Sequence, residues 1–188
     1  MKNKIIAFLF MAIGTVASLH AQRQMTRTGH IWFISETPLE TIEAHNNQVT
    51  SILDTEKGDI VFQALMKGFQ FEKALMQEHF NEKYVESDKY PKATFKGSII
   101  NLDEIDFDKD GSYMAKAKGS LTVHGVVYEI EVNPVIKIED GKILATAEFP
   151  VTVADYEIKI PSVVRDNIAK EVKVFVDVKY EAMGGSTN

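Results

Sequence analysis

A two-residue rhythm constrains this chain more than any other feature. In GSYMAKAKGSLTVHG (111–125), Tyr113, Ala115, Ala117, Gly119, Leu121 and Val123 alternate with Met114, Lys116, Lys118, Ser120, Thr122 and His124. Successive side chains of a strand point to opposite faces, so this alternation describes a strand with one buried and one wet face. EVKVFVDVKY (171–180) repeats the pattern, with Phe175 out of place among the polar residues, and GDIVFQALM (58–66) alternates as well. Shorter runs fit the same rule: HIWFIS (30–35), QVTSIL (48–53), ATFKGSIINL (93–102), VVYEIEV (126–132), PVIKIE (134–139) and KILATAEF (142–149). Turn signals at 57–58, 109–111, 133–134 and 139–142 separate them, and EDGK between two alternating runs marks a hairpin. About eight one-faced strands predict an all-β fold, a closed antiparallel barrel or a sandwich, because closure removes exposed edges. No repeat or low-complexity linker divides the chain, so a single domain is expected.

Two stretches break the rhythm. In MQEHFNEKYVESDKYP (76–91), Met76, Phe80 and Tyr84 recur at helical spacing with Leu75 beside them. That is the apolar stripe of a short amphipathic helix, which turns Glu78, His79 and Glu82 toward water or a rim. SVVRDNIAK (162–170) reads as a helical turn just before the last strand.

The first 21 residues place two lysines ahead of an apolar run from Ile5 to Ala17. That run is short for a bilayer span and suits a cleaved secretory signal peptide, so the protein is expected in the periplasm or secreted. Cleavage after Ala21 fits, with Ser18 as the alternative. The domain then runs from 22 to 182, with 183–188 as a flexible tail. Removing residues 1–21 takes away Lys2 and Lys4 and no acid, which moves the formal charge from −6 to −8. That balance, without any Lys/Arg cluster, argues against a nucleic-acid partner. A chain of this length buries about 70% of its unfolded surface and needs no covalent staple. With no cysteine, disulfides, thiolate metal sites and a cysteine nucleophile are excluded.

Motifs for chemistry fall short of their requirements. EHFNE around His79 is not the HExxH of a helical metal site. DFDKDG (106–111) offers Asp106, Asp108, Asp110 and Gly111 in the order of a calcium loop. Its twelfth position is Ala117 instead of a bidentate glutamate, and its flanks read as strands, so it is better read as an acidic hairpin loop. His124 has Ser120 and Ser162 as candidate partners, but no GxSxG elbow presents a nucleophile. His30 and His45 read as isolated. No catalytic residue, metal ligand or cofactor is therefore assigned, and the protein is not expected to be an enzyme. What remains is the apolar inventory: eleven Phe, six Tyr, seven Met and one Trp. Barrels of about eight strands either fill with side chains or hold one small ligand, and periodicity leaves both open.

Three ordered blocks carry a resemblance. They are FQFEKALMQEHFNEKYVESDKYPKATFKG (69–97), GSYMAKAKGSLTVHGVVYEIEV (111–132) and DYEIKIP (155–161). Their most specific parts are ExxKYPxAxFxG and GxLTxHG, and together they resemble the YceI family from about residue 27 to 181. The resemblance implies an extended eight-stranded antiparallel lipocalin-like β-barrel with a short amphipathic helix near one end. It also implies export to the periplasm and a polyisoprenoid or similar long-chain amphiphile in an apolar channel, with some members forming homodimers. No catalytic residue transfers with it. The N-terminal stretch HIWFISETPLETIEAHNNQV departs from the commoner family pattern, so the ligand need not be the quinone-like one.

A lipid carrier is thus the leading expectation. Strand parity selects Phe62, Phe69, Phe71, Phe95, Tyr113 and Leu121 as channel lining, then Tyr128, Phe149, Tyr156 and Val174, and the helix stripe adds Met76 and Phe80. The alternatives are a metal- or calcium-dependent hydrolase, using the acidic loop or His79 and His124, and a solid-core stress-related interaction protein.

Overall fold

The structure, a computed structural model, describes residues 23–183. The expected signal peptide lies outside them, as does the expected tail beyond Met183. The alternating runs form β1 (Arg23–Glu36), β2 (Thr41–Asp54), β3 (Asp59–Leu65), β4 (Gln70–Phe71), β5 (Lys92–Ile99) and β6 (Gly111–Met114). They continue as β7 (Ala117–Val123), β8 (Val126–Val132), β9 (Val135–Glu139), β10 (Lys142–Thr152) and β11 (Glu171–Ala182). One helix, α1 (Ala74–His79), runs on into a wider π turn over Phe80–Tyr84, and a 3-10 turn covers Ser162–Asn167. All pairings are antiparallel, in the order β6-β9-β10-β11-β1-β2-β3-β5-β7-β8, with β4 beside β2.

The expected eight strands are corrected to eleven, and the closed barrel to a sheet curled into a half-barrel. The run 111–125 was expected to be one strand. It breaks at Ala115–Lys116, opposite a second break at Asn133–Pro134. Pro134 has no N–H to give a ladder, and its carbonyl accepts the Ala115 N–H at 2.8 Å. Buried Asn101 replaces the missing ladder bonds: its Oδ1 accepts the Lys116 N–H (2.7 Å) and its Nδ2 donates to the Met114 carbonyl (3.1 Å). Each half of this long hairpin then takes a different neighbour. β7 pairs with β5, whereas β9 pairs with β10. The nine alternating runs thus give ten strands once 111–125 divides, and the two-residue β4 is the eleventh.

Tight turns follow backbone chemistry. Asp140 and Gly141 (φ 51° and 69°) join β9 to β10, and His124 and Gly125 (φ 51° and 77°) join β7 to β8. Two consecutive positive φ values match the right-handed twist of a hairpin.

The inner face carries two apolar clusters. At one end Leu53, Ile60, Ile99, Ile136, Val178 and Tyr180 pack solidly, with Phe107 and Tyr113 against them. Buried Ser51 and Tyr180 share a 2.7 Å hydrogen bond on that floor, and burial pushes the Tyr180 phenol up to about 12. At the other end Ala44, Val49, Met66, Phe69 and Val85 gather Phe33, Phe71 and Phe80. Gly97 and Gly119 face each other across β5 and β7 on the inner side. A Cβ on either would run into the opposite strand's backbone, and the Phe95 ring lies over Gly97.

Candidate functional site: an apolar cavity with a polar mouth

Between the solid floor and the α1 end lies a cavity of about 550 Å³. That is within the range of roughly 300–1,000 Å³ typical of small-molecule sites. The inward parity of β1, β3, β5, β7, β10 and β11 supplies its wall. Met76, Phe80 and Tyr84 of the helical segment close over it. Phe33, Phe69, Phe71 and Phe80 form an aromatic cluster there, with ring centroids 5.0–5.9 Å apart in tilted, edge-on and stacked pairs. Such geometries suit the positive edges and negative faces of aromatic rings.

Of the twelve residues expected to line a channel, ten stand on this wall: Phe62, Phe69, Phe71, Met76, Phe80, Phe95, Leu121, Phe149, Tyr156 and Val174. Tyr113 and Tyr128 do not. Both have the inward parity of their strands, but parity assigns a face and not a depth. Tyr113 packs against the floor cluster and donates its hydroxyl to the Lys109 carbonyl at 3.0 Å. Tyr128 sits beyond the opposite end, 48% exposed, with its ring 6.2 Å from that of Tyr156. Ile31, Phe33, Ala145 and Ala147 also belong to the wall. Ala145 and Ala147 lie in the right run and on the right parity, but their small size gave no reason to single them out.

Polar groups concentrate at the mouth. Among the described residues on the wall, Glu40 is the one acid and Lys73 the one Lys or Arg, with His79 beside them on α1. Lys73 Nζ lies 3.3 Å from Glu40 Oε1, and Asn167 Nδ2 donates to Glu40 Oε2 at 3.2 Å. One carboxylate therefore links the start of β2, the entry to α1 and the 162–167 turn. Close by, the Ala169 N–H donates to Ser35 Oγ at 2.9 Å. Leu39, Leu75 and Val163 stand exposed on the same three segments. Nothing in the periodicity of TPLET pointed to Glu40.

The three sequence blocks meet at His124. Its Nε2 is 2.8 Å from Glu86 Oε2, its Nδ1 is 3.0 Å from the Tyr156 carbonyl, and Tyr90 sits edge-on to its ring at 4.7 Å. The His124 side chain holds Glu86 below the usual carboxylate range. Burial, with help from Asp155 and Tyr128, pushes the Tyr156 phenol up to about 12. Glu86 ends the helical segment with a positive φ of 44°, as His124 opens its hairpin turn at 51°. The arrangement is a clasp that fixes the helical cover to the β7–β8 hairpin, and among the described residues no serine is hydrogen-bonded to His124.

The other candidates for chemistry resolve similarly. In the 106–111 loop, Asp106 Oδ1 accepts the Asp108 N–H at 3.1 Å. Among the described residues no group of three or more His, Asp or Glu side chains is placed to hold a metal ion. His30 and His45, read as isolated, are in contact: His30 Nε2 and His45 Nδ1 are 3.0 Å apart on the outer face, and His45 Nε2 lies 3.0 Å from Glu43. Trp32 stacks on both His30 and Phe175, which explains the apolar Phe175 among polar neighbours. Burial, then His45, lowers the His30 pKa against the pull of Asp177.

A family model described as YceI-like domain matches residues 21–180. The chain belongs to that family. Solved structures agree in fold at low identity. A polyisoprenoid binding domain from Saccharophagus degradans, implicated in plant cell wall breakdown, superposes with a TM-score of 0.76 at 14% identity, over 87% of this chain and 99% of that one. BcnA of Burkholderia cenocepacia gives 0.65 at 14% identity, over 81% and 96%. The YceI protein of Campylobacter jejuni gives 0.57 at 16% identity, over 74% and 85%. No curated protein matches the sequence. The YceI-like fold thus accounts for the curled antiparallel sheet and, among the described residues, its one short helix, and the clasp at His124 unites the three sequence blocks that carry the resemblance.

Proposed function

We propose that this YceI-like protein is a non-catalytic carrier that holds a polyisoprenoid or similar long-chain amphiphile in its half-barrel cavity. One observation carries the reading: a cavity of about 550 Å³ whose wall is apolar from the floor to the mouth, where the few charged groups collect. Each methylene buried in such a site contributes roughly 0.8 kcal/mol, so a long tail binds without catalytic polar groups. The polyisoprenoid binding of the Saccharophagus degradans domain, which shares the fold, supports the same ligand class. Export to the periplasm, through the apolar N-terminal segment, is part of the proposal, and nucleic acid is not among the expected partners. Native mass spectrometry of the purified protein, followed by solvent extraction, tests the reading. A co-purifying lipid released into the solvent is the expected result. A protein that neither carries a lipid nor takes one up when offered long-chain isoprenoids overturns it.

A further inference from the structure

The mouth carries more information than its polarity alone. Glu40 uses one carboxylate oxygen for Lys73 and the other for Asn167, at 3.3 and 3.2 Å. A carboxylate offers about four acceptor positions, so two acceptor positions on Glu40 stay free. Its side chain is 25% exposed, enough for a ligand to reach and little enough to limit competition from water. Among the described residues Lys73 is the one Lys or Arg of the wall, and its charge faces Glu40 at 3.3 Å. A phosphate or carboxylate head would therefore meet Glu40 as a like charge and would have to compete with it for Lys73. Recognition of phosphate draws on charge-assisted bonds from Lys or Arg, and the one such side chain among the described residues of the wall, Lys73, is already paired with Glu40.

We propose that Glu40 selects the polar end of the ligand. It admits an uncharged hydrogen-bond donor, the hydroxyl of a long-chain isoprenoid alcohol, and turns away the phosphate of the same chain. This rests on the lipid-binding reading above and adds to it a head-group rule set by one residue. The rule also distinguishes the alcohol from a head that only accepts hydrogen bonds, because such a head has no O–H for the free acceptor positions of Glu40.

The experiment compares a long-chain polyprenol with its monophosphate, equal in hydrocarbon, as competitors for a solvatochromic apolar dye bound to delipidated protein. Equal chains cancel the apolar contribution, so the ratio of the two affinities reports the mouth. Wild type is expected to favour the alcohol by about tenfold or more, as like-charge juxtaposition is costly. Glu40→Gln narrows that ratio, and Lys73→Met, which leaves Glu40 uncompensated, widens it. The opposite signs separate the effect from a general loosening of the mouth. Equal or tighter binding of the phosphate by wild type, or a ratio unmoved by Glu40→Gln, overturns the head-group rule while the carrier reading stands. If neither compound displaces the dye, the carrier reading falls and takes this inference with it.

Discussion

Single side chains at the two ends of the cavity set how the protein responds to pH. Tyr180 is almost fully buried, and its phenol is pushed up to about 12 against an ordinary value of 10. Between those values the unfolded chain has lost the proton that the folded state keeps, so stability is full below about pH 10 and is lost as pH rises through about 12. Tyr180→Phe removes that alkaline loss and leaves Ser51 without its partner, at a cost of about 1–3 kcal/mol near neutral pH. Urea titrations at pH 7 and pH 11 check both halves. Glu86 has the reverse sign. Its pKa is held down by His124, so the clasp contributes stability above the ordinary carboxylate range that is lost as pH falls through the lowered value. His124→Asn tolerates the positive φ of the turn but loses the reach to Glu86. It is expected to lower the melting temperature at pH 7 and to reduce its dependence on acid pH, as followed by thermal melts from pH 3 to 7. Neither side chain stood out in the sequence for these roles. Parity placed Tyr180 inside, but a hydrogen bond to a residue 129 positions away has no local trace.

Elements were more legible than their interruptions. The alternating runs became strands, and Met76, Phe80 and Tyr84 became the inward stripe of α1 and its π turn, because both periodicities are written in adjacent residues. The breaks at 115–116 and 133–134 were not visible as partner changes. Asn133–Pro134 was read as a turn, when it is the point where one long hairpin passes from β7 and β8 to β6 and β9. Asn101, which makes that handover possible, lies in a different run altogether. The paired glycines 97 and 119 show what such close approach demands. Gly97→Ala would place a Cβ against the Lys118 carbonyl oxygen and the Gly119 backbone while displacing the Phe95 ring. Overpacking of this kind costs about 1–3 kcal/mol, and here it acts on backbone that cannot rotate away. The expected outcome is a lower urea midpoint with an unchanged slope, together with weaker uptake of an apolar dye as Phe95 shifts into the cavity.

At the scale of the whole molecule, a floor packed solid and a mouth held by Glu40 and His124 leave the middle of the half-barrel open. Sequence periodicity could not choose between a filled and a hollow interior, since cavity volume depends on how far facing strands stand apart. Small residues at Ala145 and Ala147, which line the cavity and pack against the floor cluster, contribute to that space. Ala147→Phe is therefore expected to fill part of it, with little loss of thermal stability and reduced lipid capacity by native mass spectrometry. The central claim is that apolar burial inside this cavity drives binding, and the dependence of affinity on chain length at a fixed hydroxyl head tests it most directly. Isoprenoid alcohols of increasing length, titrated against delipidated protein, are predicted to bind progressively more tightly, by roughly 0.8 kcal/mol per buried methylene at most. The gain should then level off once the cavity is full. Affinity that does not change with chain length, or that rises without limit, would contradict the account.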